Sequence, residues 1–80
     1  MKWNKKTFEI IEWIDSCGGS GWHTPYEECE LSRCVSIGWV TAESKSAITI
    51  TSHVDQTTNG HHGDITIPKL AITNRKKVKL

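Results

Sequence analysis

The residues with the greatest chemical capacity cluster between positions 15 and 34. Gly18-Gly19-Ser20-Gly21 runs into Thr24-Pro25-Tyr26-Glu27. That order reads as a helix start: Thr24 caps, Pro25 suits the first helical position and Glu27 completes a capping box. Backbone N–H groups in such a turn can cradle an anion. Trp22 and Tyr26 offer faces for stacking on a base, while Asp15 and Ser16 can bond a ribose or a base edge. Two features oppose a phosphate site. The glycine spacing matches neither the dinucleotide nor the Walker pattern, and Glu27 and Glu28 would repel a phosphate in the first turn. An ordinary loop in which Trp22 plugs one end of the fold is the competing reading.

Cys17, His23, Cys29 and Cys34 form the metal candidate, with His61 and His62 as spare ligands. Structural zinc sites grip one tetrahedral edge with a close pair of ligands. Cys29 and Cys34, the nearest two cysteines, stand five positions apart, so no metal is expected and buried or half-buried thiols explain the cysteines more simply. Cys17, His23 and Asp15 supply the types needed for a nucleophile, its base and an orienter, but such triplets arise by chance in small chains. No catalytic residue and no enzymatic activity are expected. His61-His62, between Gly60 and Gly63, reads as a loop tip, solvated or ligand-binding.

These residues belong to a chain of 80, enough for one domain (1–80) and no more. Apolar residues make up 36% and charged residues 24%, a globular balance. No run approaches the ~18 apolar residues of a membrane span, and Lys2 opens no apolar signal core. A cytoplasmic setting follows as the expectation, with the three cysteines reduced. A chain this short gains from oligomerisation, and four tryptophans exceed what a small core needs, which suggests self-association. The net charge of +1 is too small to steer the molecule toward nucleic acid. Seven of the ten basic residues nevertheless lie at the ends, at Lys2, Lys5, Lys6, Arg75, Lys76, Lys77 and Lys79, a pattern that also suits strand edges guarded against aggregation.

The elements that must position these groups are mostly strands. Thr7 to Asp15 carries apolar residues on both faces, Phe8, Ile10 and Ile14 on one and Ile11 and Trp13 on the other. Cys34 to Glu43 alternates Val35, Ile37 and Trp39 with small residues; Gly38 marks a bend or bulge and Trp39 reads as core. Glu43 to Ser46 is a turn, and Ala47 to His53 a second clear strand. Val54 to Gly63 is polar, with Asn59-Gly60 as turn punctuation. Asp64 to Ile67 is a short strand, Pro68 interrupts, and Leu70 to Leu80 supplies the last strand. The sum is a mostly-β fold: a small SH3-like five-stranded barrel with one short helix after the first strand, closed to remove its edges.

Four motifs recur in a recognisable order: Glu12-Trp13-Ile14-Asp15-Ser16, Gly21-Trp22, Val35-Ser36-Ile37-Gly38-Trp39-Val40 and Ile67-Pro68-Lys69 with Ile72. Over residues 9 to 80 this order resembles a widespread set of small bacteriophage proteins with SH3-like barrels. That set is similar to the phage anti-defence sponges, which sequester nucleotide immune messengers without cleaving them, in pockets at oligomer interfaces. The resemblance implies a homo-oligomer in the host cytoplasm that needs no cofactor and binds a cyclic dinucleotide or a cyclic ADP-ribose species. Asp15, Ser16, Gly21 and Trp22 would line its pocket. Trp13, Trp22 or Tyr26 would stack, and Arg33, Lys69 or Arg75 would meet phosphate. Two other expectations stand beside it. One is an interaction module that inhibits a host protein through the acids Glu27, Glu28 and Glu30. The other is a small nucleic-acid-binding barrel using the terminal basic residues.

Overall fold

A computed structural model describes residues 8–16 and 31–79. Five antiparallel strands form one sheet: β1 (Phe8–Asp15), β2 (Ser32–Glu43), β3 (Ala47–Asp55), β4 (Gly60–Pro68) and β5 (Ile72–Lys77). Their order across the sheet is β4-β3-β2-β1-β5. The expected closure into a barrel is not made by hydrogen bonds, because β4 and β5 are the two edges. The expected helix lies outside the described residues, as do Gly21, Trp22 and Tyr26.

Alternation in β1 and β2 produces two different faces. On the inner face Ile11 packs with Ile48, Ile50 and Ile67, each at most 2% exposed, and Trp13, Val40 and Ile72 lean on this cluster. Trp39 is on the other face, contrary to its reading as core. Its strand parity places it with Val35 and Ile37, and it meets Phe8 edge-to-face at a centroid distance of 5.0 Å.

The polar segment expected after His53 is instead ordered as a hairpin. β3 runs on to Asp55 and β4 begins at Gly60, so His61 and His62 are strand residues and not a loop tip. Local bonds account for the difference. Asp55 Oδ1 accepts the Thr57 and Thr58 N–H groups at 2.9 and 3.4 Å, and the Asn59 N–H donates to the Asp55 carbonyl at 2.8 Å. Asn59 takes a left-handed φ of 65°, a conformation asparagine tolerates in turns. Gly63 is left-handed too, and a Cβ there would fall 2.4 Å from Ser52 Oγ.

The last strand is shorter than the sequence suggested. Lys69–Ala71 forms a single 3-10 turn after Pro68, and Ile72 then starts β5 against β1. The Lys69 N–H donates to the Ser46 carbonyl at 2.8 Å, tying this turn to the β2–β3 connection. At that connection the Ser44 N–H bonds the Ala47 carbonyl, and Ser44 Oγ accepts the Ser46 and Ala47 N–H groups. Lys76 and Lys77 are exposed on edge strand β5, which matches the reading of lysines as edge guards.

Candidate functional site

β1 and β2 pair from Phe8–Trp39 to Asp15–Ser32. Ser16 and Leu31, which flank residues 17–30, therefore stand at the same end of the sheet. At that end lies a depression of about 210 Å³ lined by Glu12, Trp13, Ile14, Arg33, Cys34, Val35 and Thr73. Trp13 is held from two directions. Its ring packs on the isoleucine cluster, and its indole Nε1–H donates to Ser36 Oγ at 2.9 Å, so its orientation is set before any ligand arrives. Arg33 faces outward opposite Ile14, and among the described residues no ion pair forms with it.

Of the expected site residues, Trp13 and Arg33 thus share one depression. Asp15 and Ser16 lie at the adjoining strand end, where Asp15 Oδ1 accepts the Ser16 N–H at 2.8 Å. The Cys34 thiol, free and half-buried, contributes to the wall. The positions of Cys17, His23 and Cys29 lie outside the described residues, among which no group of three or more His, Cys, Asp or Glu is placed to hold a metal.

Lys69 and Arg75, the other expected phosphate contacts, do not line this depression and are held in ion pairs. Arg75 Nε and Nη2 donate to the two Glu9 carboxylate oxygens at 2.9 and 2.8 Å. Its Nη1 and Nη2 donate to Glu43 at 3.0 and 3.1 Å, and Lys69 Nζ reaches Glu43 Oε2 at 2.7 Å. The network joins β5, β1, the end of β2 and the 3-10 turn. Its signal in the sequence was Glu9 on the same parity as Ile11 and Trp13, a carboxylate on the core face that needs a cation.

Hydrogen bonds from Arg75, then from Lys69, hold the Glu43 carboxyl at about 2 instead of its ordinary 4.5. The sign follows from linkage. A carboxylate whose folded pKa is depressed stabilises the fold above its unfolded pKa, and that contribution is lost as pH falls toward the folded value. Urea midpoints of the wild type and Glu43→Gln should therefore differ at pH 6 and converge between pH 4.5 and about 2. A constant gap across that window would remove the network from the acid response.

A second depression, about 300 Å³, lies at the far end of the β3–β4 hairpin. His53, Val54, Asp55, Thr58, Gly60, His61 and His62 line it. His61 Nδ1 and Asp64 Oδ1 are 2.8 Å apart. The Thr51 hydroxyl, then the His61 ring, holds the Asp64 carboxyl below the usual carboxylate range, and the Thr57 and Thr58 turn bonds do the same for Asp55.

No helix among the described residues is long and apolar enough to cross a membrane. Comparison of the chain with protein-family models, with curated proteins and with solved structures finds no match.

Proposed function

We propose that this chain is a phage anti-defence protein, an SH3-like β-domain that binds and sequesters a nucleotide immune messenger, of the cyclic dinucleotide or cyclic ADP-ribose type, without cleaving it. The observation that carries the reading is the depression lined both by Trp13, pinned by Ser36 on the inner face, and by Arg33, which leaves the outer face opposite Ile14 and has no ion-pair partner among the described residues. An immobilised indole stacks on a base at little entropic cost, and an accessible guanidinium matches phosphate geometry. Asp15 and Ser16 adjoin it, and Gly21, Trp22 and Tyr26 belong to the connection that leaves and re-enters the same sheet end. The strand order, with a 3-10 turn between β4 and β5, supports the SH3-like assignment.

Self-association is part of this proposal. Val35 and Ile37 are 62% and 52% exposed in a strand interior to the sheet. Ile10, Ile14, Phe8 and Trp39 are half-buried beside them. Four fully buried isoleucines make a thin core among the described residues, and covering the outer face with a second copy would add apolar burial at ~25 cal/mol per Å². The same exposed face favours a second reading, an interaction module docking a host protein.

A thermal-shift screen against mononucleotides, cyclic dinucleotides and cyclic ADP-ribose isomers separates the two. A ligand at about 100 times its dissociation constant adds ~2.7 kcal/mol, several degrees in a domain of this size. The expected result is a selective rise, with the nucleotide recovered intact and the rise abolished by Arg33→Ala but kept in Lys76→Ala. A flat screen sinks the sequestration reading and leaves the interaction module.

A further inference from the structure

His53 of β3 and His62 of β4 are register partners on neighbouring antiparallel strands, so both side chains leave the same face of the hairpin. Their ring centroids are 6.2 Å apart with planes tilted by 43°. Both residues are exposed and line the depression at the hairpin end. We propose that this cross-strand pair is a two-imidazole site for a divalent transition cation of the zinc class, with water completing the coordination.

An imidazole nitrogen binds such an ion at about 2.1 Å, and histidine is its preferred neutral ligand. The two rings need to approach by roughly 1 Å to share one ion at that distance. Exposed rings on a fixed backbone pair make this adjustment by side-chain rotation alone. The backbone beneath them is not free to slip. The Thr51 hydroxyl donates to the His62 carbonyl at 2.8 Å, and the hairpin turn is locked by Asp55 and Asn59. The surrounding charge favours a cation, because the Asp55 carboxylate lines the depression and Asp64, on the same strand face as His62, pairs with Thr51 in the register. His61, the register partner of Val54, also lines the depression and pairs with Asp64 at 2.8 Å, and the site does not require it. The site is independent of the depression at Trp13.

The test is a zinc titration of the full chain followed by imidazole and amide NMR. His53 and His62 resonances should move together and saturate at one equivalent. His53→Gln should abolish the response of His62, and His62→Gln that of His53, while His61→Gln leaves both responding. All three positions are exposed, and retention of the dispersed amide spectrum confirms that each variant is folded. A zinc response confined to residues other than this pair, as a thiol site would give, overturns the proposal. So does a His62 response that survives His53→Gln.

Discussion

Replacing Arg75 by alanine is expected to destabilise this protein by about 3 kcal/mol, the cost of leaving a buried charge without its partner. The Glu9 side chain is 4% exposed and receives two hydrogen bonds from the Arg75 guanidinium. Without them it keeps its desolvation cost and loses the compensation. At roughly 0.05–0.15 kcal/mol per residue, a chain of 80 has about 4–12 kcal/mol in total. The variant should therefore lose between a quarter and most of its stability in a urea titration. A second variant separates pairing from packing. Glu9→Leu combined with Arg75→Met removes both charges, and buried ion pairs replaced by apolar residues are often neutral or stabilising. The double variant should recover most of the loss. If Arg75→Ala unfolds at the wild-type urea midpoint, the network contributes no net stability.

The second large effect is expected at Gly38. A Cβ built there lies 2.3 Å from the Thr51 carbonyl oxygen and 3.0 Å from its carbon. Those atoms are backbone, so no rotamer change relieves the clash, and β2 must move away from β3 where Trp39 pairs with Thr51. Gly38→Ala should cost about 3 kcal/mol, the upper part of the range for overpacking. Gly60→Ala is the comparison, since the nearest atom to its added methyl is the Thr58 hydroxyl oxygen at 3.2 Å. Equal urea midpoints for the two variants would contradict the close approach.

Gly38 also shows where legibility ended. A glycine within a strand signals a bulge or a close backbone approach, and sequence does not separate them. The structure puts the irregularity between Val40 and Ala42 and reserves Gly38 for the approach of Thr51. The hairpin of β3 and β4 was only partly legible for a related reason. Asn59-Gly60 marked the turn, but His53, Asp55, Gly60, His61 and His62 lack apolar alternation, and cross-strand bonds extend the ladder through them. The ion pairs of Arg75 and Lys69 were not legible, because charge counting takes no account of Glu9 and Glu43 folding against them. Trp39 looked like core because periodicity identifies a face without saying which side the core occupies.

Periodicity by itself determined that the chain is mostly β, where β1, β2 and β3 run, and that Ile11, Trp13 and Glu9 share a face. These follow from the two-residue repeat of strands and from turn chemistry at Ser44 and Asn59, both local properties. Strand order decided the rest. By seating β5 beside β1 it brought Arg75 onto Glu9 across 66 positions, and by pairing Asp15 with Ser32 it brought Trp13 and Arg33, from opposite faces, to the lining of one depression. Such contacts depend on which distant segments pack together, and the energy that selects them, burial of the isoleucine cluster with its one compensated charge, belongs to the assembled sheet and to no single segment.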